Sequence, residues 1–209
     1  MEDVSLEPIP FAQTYLAGLV TCLDALLLER VAGVIVRLLK AYRAGRRVFI
    51  VGNGGSAATA SHMACDLNKT VLGDHQSAQG LRVICLSDNV PLLTAWANDV
   101  GYDIVFARQL RGWIEAGDVL IAITGSGRSP NIIEAAKVAR EAGATVIGFL
   151  GFDGGQMRSL ADEVVLVQSD NYGHIEDIHM MLDHLITAYF RQVIALEAVG
   201  PPTLCDGTE

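Results

Sequence analysis

The sequence predicts an α/β protein: a doubly wound, five-stranded parallel sheet flanked by helices. Three observations predict it. Beyond residue 45, short apolar runs alternate with longer helical stretches, the pattern of strands joined by crossover helices. The runs are rich in Val, Ile and Leu and nearly continuous in apolarity, as parallel strands buried on both faces are. Two of the runs end in glycine-rich turns that open directly into helices.

The elements follow in order. Phe11–Arg43 reads as a helical segment ahead of the sheet. Its apolar residues are broken by Asp24, Glu29, Arg30, Arg37 and Lys40, which excludes a membrane span. Apolar on more than one face, it needs partners on both sides, so oligomerisation is expected. Strands are expected at Arg47–Val51, Leu81–Leu86, Val119–Thr124, Thr145–Leu150 and Glu163–Val167. Helices are expected at Ser56–Lys69, Val90–Ala97, Tyr102–Glu115, Pro130–Ala142 and Gly155–Leu160, with a last one at about His174–Ala198. The Pro/Gly-rich stretch Gly200–Glu209 reads as a loose tail. The 209 residues suit a single domain with its sheet core at about 46–168.

Composition excludes several function classes. The formal net charge of −9 argues against a sequence-independent nucleic-acid binder, which needs a basic face. Cys22, Cys65, Cys85 and Cys205 show no C-x-x-C spacing. The first three lie in apolar segments that read as core, which suits a reducing cytoplasm rather than a disulfide framework. The acidic start, Met1 to Val4, lacks the basic and apolar regions of a signal peptide.

Ligands of open α/β sheets lie beyond the carboxyl ends of the strands, so the glycine-rich turns are the places to look. The first is Gly52-Asn53-Gly54-Gly55-Ser56-Ala57. Its glycines let backbone approach a ligand, and free amides at a helix start favour an anion. It also fits G-x-G-x-x-A. A dinucleotide site, however, needs an acidic residue about 20 positions on, ending the second strand. Asp74 precedes that strand and Asp88 lies beyond it, so a phosphate cradle is preferred. The second turn, Thr124-Gly125-Ser126-Gly127-Arg128-Ser129-Pro130-Asn131, sets three hydroxyls around two glycines. N-capping by Ser129 explains one hydroxyl; a neutral cradle for a phosphate dianion explains all three.

Acid–base and metal-ligating groups lie nearby in sequence. His62 and Asp66 are four apart on the helix after the first turn, about 40° apart around its axis. Glu176 and His184 are eight apart on the last helix, within about 80°. Such pairs from two helices could hold a zinc ion tetrahedrally. Taken alone, they could equally be unrelated solvent-facing polar residues. His179 reads as a core or interface histidine and His174 as the opening of the last helix. Trp96 and Trp113 read as packing residues, and Cys65 as a buried inert thiol.

With these motifs in hand, the chain resembles the SIS (sugar isomerase) family. G-N-G-G-S-A at 52–57, a following helix with His62, and T-G-S-G-R-S-P-N at 124–131 carry the likeness. Asn98-Asp99-Val100-Gly101-Tyr102 and the histidines narrow it to the phosphoheptose isomerase branch, and the likeness runs from about residue 11 to 198. The resemblance implies a cytoplasmic homotetramer with sites assembled between subunits. Its implied reaction converts sedoheptulose 7-phosphate to a manno-heptose 7-phosphate through a cis-enediol, an early step toward heptose for surface polysaccharide. Carried over residue by residue, it implies zinc held by His62, Asp66, Glu176 and His184. It makes Asp66 the carbon base and His184 its partner. Asn53, Gly54, Gly55, Ser56, Asn98, Asp99, Thr124, Gly125, Ser126, Ser129 and Glu176 become substrate contacts.

The sequence departs from the branch at three positions. Asp66 stands where the branch has Glu, Glu176 where it has Gln, and Thr70, beside Lys69, where it has Arg. Asp66 can hardly ligate tightly and serve as a free base at once. Two rival readings follow from the resemblance. One is a non-catalytic SIS adaptor like the protein that associates with the DnaA initiator, resembled at Gly151-Phe152-Asp153-Gly154-Gly155. The other is an SIS isomerase for another phosphosugar.

Overall fold

The computed structural model describes residues 7–75 and 77–199. Two helices, α1 (Pro8–Asp24) and α2 (Leu28–Arg43), precede the sheet. Then come β1 (Arg47–Val51), α3 (Gly55–Asn68), β2 (Arg82–Cys85), α4 (Val90–Asp99) and α5 (Val105–Arg111). They are followed by β3 (Val119–Thr124), α6 (Pro130–Glu141), β4 (Thr145–Leu150), α7 (Met157–Leu160), β5 (Glu163–Leu166) and α8 (Tyr172–Val199). The five strands are all parallel, in the order β2-β1-β3-β4-β5.

Alternating side chains give the sheet two apolar faces. Val48 and Ile50 of β1, Ile121 and Ile123 of β3, and Ile147 and Phe149 of β4 join one core with residues of α2, α3 and α8. Phe49, Val51, Leu120, Ala122 and Val146 join the other with residues of α5 and α6. α2 buries Val31, Val34, Leu38 and Ala41 along one stripe, the spacing of an amphipathic helix. Val34 and Leu38 are fully buried, a gain of roughly 1.5–3 kcal/mol each. Asp118 anchors the start of the sheet: its carboxylate accepts from the Arg47 backbone and guanidinium and from the Glu115 N–H.

Several expectations are corrected. The N-terminal segment is two helices, because Leu27 is extended and its carbonyl accepts from Arg30 and Val31 to begin α2. The stretch expected as one helix over Tyr102–Glu115 is a 3-10 turn (Tyr102–Ile104) and α5, which stops at Gly112. The helix expected from Gly155 begins at Met157, because Gly154 and Gly155 both take positive φ. Cys65 is exposed, not buried, and Trp113 is largely exposed. Cys85 is buried, and burial pushes its thiol up to about 11. Cys205 and the Gly200–Glu209 tail lie outside the described residues. Among the described residues, no helix is long and apolar enough to cross a membrane.

Sheet order fixes where a ligand belongs. β1 leads to β2 on one side, while β3 begins on the other. The connections therefore diverge between β1 and β3, and open α/β sheets bind ligand at such a point. The two glycine-rich turns follow those two strands.

Candidate active site

The first turn leaves β1 at Val51 and reaches α3 through Gly54, which has φ +55°. Gly54 accepts the first helical N–H groups, from Ala57 and Ala58, so the amides before them have no partner within the helix and favour an anion. In the second turn the Gly127 N–H donates to Thr124 Oγ1 and the Arg128 N–H to Ser126 Oγ. Gly127 has φ +63°, and a Cβ there would run into the Gly154 carbonyl. The Gly151–Gly155 segment therefore acts as a backbone floor under the second turn. Ser129 begins α6 without a side-chain cap, so N-capping does not account for its hydroxyl.

An amide pair ties the turns together. Asn53 and Asn131 exchange two hydrogen bonds of 2.9 Å, and Tyr102 Oη donates to Asn53 Oδ1 at 2.9 Å. Asn98 and Asp99 are exposed at the end of α4 and bond each other. Tyr102, from the same sequence motif, is the residue that reaches the first turn.

α3 carries His62 and Asp66 away from the first turn and packs against α8. His62 Nε2 stands 3.2 Å from His184 Nε2, 3.6 Å from Asp66 Oδ2 and 4.0 Å from Asp183 Oδ2. The four side chains can place one ligand atom each within 4.8 Å of one another. Thr70 Oγ1 donates to Asp66 Oδ1 at 2.8 Å. A cavity of about 540 Å³ opens beside this group, lined by Asp66, Thr70, His184, Thr187 and Arg191 among others.

Sequence reasoning put Glu176 in this group, and the structure puts Asp183 there. The Glu176 carboxylate packs over Gly55, where a Cβ would stand 2.5 Å from Oε2. It faces the start of α3, where the helix dipole favours a negative group. Asp183 was missed because it occupies the buried stripe of α8 with Ile175, Ile178, Leu182 and Ile186. A carboxylate on such a stripe is itself the signal. Burial raises its pKa to about 6, helped by the charge of Asp66 and opposed by His62, His184 and the Thr187 hydroxyl.

The remaining histidines of α8 are structural. His174 is buried against Tyr15, with Nε2 3.0 Å from the Tyr15 carbonyl. Tyr15 Oη donates to Asp177, and together these contacts clamp α1 to α8. His179 is wholly buried, its Nε2 3.3 Å from the Leu150 carbonyl, and burial lowers its pKa to about 4.

The comparisons with known proteins agree with this fold. The SIS domain family profile matches residues 15–151. A phosphoheptose isomerase of Mycobacterium tuberculosis is 42% identical over 171 residues, 82% of this chain and 86% of that protein. The chain belongs to the SIS domain family, in its phosphoheptose isomerase branch. Among solved SIS structures, the phosphoheptose isomerase from Neisseria gonorrhoeae superposes with a TM-score of 0.81 at 29% identity. That match covers 89% of this chain and all of the other. The phosphoheptose isomerase from Francisella tularensis gives 0.83 at 25% identity, over 90% of this chain and all of the other.

The donor set suits zinc. Imidazole and carboxylate are zinc ligands, and bonds of about 2.0–2.1 Å in tetrahedral geometry set neighbouring donors about 3.3 Å apart. The spacings from His62 Nε2 of 3.2 Å to His184, 3.6 Å to Asp66 and 4.0 Å to Asp183 lie near that edge or somewhat beyond it, so a small inward shift of either carboxylate would complete the set.

Proposed function

We propose that this chain is a phosphosugar isomerase that converts sedoheptulose 7-phosphate to D-glycero-D-manno-heptose 7-phosphate through a cis-enediol. The observation that carries the reading is the His62–Asp66–Asp183–His184 group, held on α3 and α8. α3 starts at the first phosphate turn and carries His62 about 10 Å along its axis, so one helix links an anion site to an acid–base site. The relatives named phosphoheptose isomerase support the choice of sugar.

The substrate phosphate lies across the switch point, on the amides of the first turn and on Thr124, Gly125, Ser126 and Ser129 of the second. Asn53, held by Asn131 and Tyr102, faces the sugar from between them. Asn98 and Asp99 complete the sugar contacts from the end of α4. Asp66 removes the proton from the carbon beside the carbonyl and, after exchange with water, delivers a proton to the neighbouring carbon. Thr70 fixes one Asp66 oxygen and so aims the other. His184, while its imidazole is off the metal, carries the proton between the two oxygens of the enediol. His62, His184 and a carboxylate of the group would hold zinc, which polarises the substrate oxygens when bound.

The acid–base group in working proximity supports an enzyme over an adaptor. The protein acts in the cytoplasm as a homotetramer. The apolar side chains that α1 leaves exposed, among them Ile9, Phe11, Leu16 and Val20, support a subunit contact. A panel of ketose and amino-sugar phosphates tests the substrate: turnover fastest with sedoheptulose 7-phosphate is expected. A clear preference for another phosphosugar would replace that substrate while leaving the chemistry in place.

A further inference from the structure

Asp183 has the surroundings of a ligand that awaits a cation. Its side chain is wholly buried. One oxygen accepts from Thr187 Oγ1 at 3.3 Å. The other, Oδ2, has no hydrogen-bond partner and lies 4.0 Å from His62 Nε2. A buried carboxylate oxygen without a donor is costly and needs an explanation. The nearest carboxylate is that of Asp66, which repels it.

Asp66 is placed differently. Its Oδ2 lies 3.6 Å from His62 Nε2, but its Oδ1 already has a donor in Thr70, its side chain is 14% exposed, and it lines the cavity next to His184. Glu176 is turned to the start of α3.

We infer that Asp183, with His62 and His184, forms a three-residue site for a divalent metal ion, and that Asp66 stays free to move protons. This rests on the isomerase reading above. It resolves the conflict at Asp66, which no longer has to ligate and act as base together. Three protein ligands with a fourth position open is the arrangement of catalytic zinc, and His184 and Asp66 both line the neighbouring cavity.

The test reads metal binding, not turnover. Metal-free wild-type protein and the Asp183→Asn, Asp66→Asn and Glu176→Gln variants are titrated with Co2+, followed by visible absorption, and with Zn2+ against a chromophoric chelator. Wild type is expected to bind one ion with the intense bands of four-coordinate cobalt. Asp183→Asn should weaken binding by more than about 100-fold, beyond the cost of losing a supporting partner. The other two variants should stay within about fivefold of wild type. In Asp183→Cys, a new thiolate-to-cobalt band in the near ultraviolet is expected. Zinc-loaded wild-type crystals, which need no variant to fold, should show the ion about 2.0–2.2 Å from an Asp183 oxygen. Unchanged binding in Asp183→Asn, or a crystal ion held by Asp66 or Glu176 and not Asp183, overturns the assignment. A wild type that binds no metal overturns it together with the zinc reading. Normal metal titrations without sugar turnover would remove the isomerase reading and leave the ligands standing.

Discussion

Asn53 and Asn131 face each other across the switch point of the sheet, each donating its amide N–H to the other's carbonyl oxygen at 2.9 Å. The pair joins the turn after β1 to the start of α6, which follows the turn after β3. It thereby sets the spacing of the two halves of the phosphate site. Asn131 is buried, so removing either side chain leaves its partner short of a bond, at about 1–3 kcal/mol. Asn131→Ala and Asn53→Ala should each lower kcat/KM for the sugar phosphate roughly tenfold. The double variant should cost little more than Asn53→Ala alone, since Asn131 acts on the site through Asn53. Additive losses in steady-state kinetics would show that the two act separately.

Thr70 should work through Asp66. Replacing it by Val removes the 2.8 Å bond to Asp66 Oδ1 and keeps the shape. The base loses its aim while substrate contacts persist. A fall in kcat of about tenfold with little change in KM is expected. A change in KM alone would make Thr70 a substrate contact instead.

Gly54 and Gly127 both take positive φ, but their surroundings differ. A Cβ at Gly54 meets open space, whereas one at Gly127 strikes the Gly154 carbonyl. Gly54→Ala should therefore cost backbone strain alone, about 1–3 kcal/mol. Gly127→Ala should cost more, because the Gly151–Gly155 floor must move as well. Urea unfolding of the two variants gives the comparison, and equal losses would contradict it.

His179 makes stability fall in acid. Its folded pKa of about 4 lies below the ordinary value near 6.5. The unfolded chain therefore gains a proton first as pH drops. The loss begins below about 6.5 and grows to about 3 kcal/mol near pH 4. Asp183 acts in the opposite sense, because its folded pKa is raised to about 6 and protonation favours the folded state. The readout is therefore the difference between wild type and His179→Gln, a side chain that can still donate to Leu150. Urea unfolding at pH 7.5 and 4.5 should show the variant less acid-sensitive. An unchanged pH dependence would mean that His179 is charged in the folded protein.

Much of this fold was legible because parallel strands buried on both faces are marked by composition. β1, β3 and β4 fall where continuous Val/Ile/Leu runs put them. The break between α1 and α2 was not legible: Ala25, Leu26 and Leu27 are good helix formers with no Gly or Pro among them. Packing against α8 and the sheet overrides their preference. At the site, the glycine turns and the His62–Asp66 spacing were legible as local patterns. Asp183 was hidden because its position belongs to the core stripe of α8. Tyr102 was visible in its motif, but its reach to Asn53 depends on how the 3-10 turn at 102–104 folds back.

As a phosphoheptose isomerase, this chain would move a proton between adjacent carbons of a phosphorylated heptulose. NMR of purified protein with sedoheptulose 7-phosphate in deuterated water tests it most directly, with wild type beside Asp66→Asn. A heptose 7-phosphate carrying deuterium at C2 is expected, formed by wild type and lost in Asp66→Asn. An isomer formed without deuterium by direct hydride shift, or normal turnover by Asp66→Asn, would contradict it.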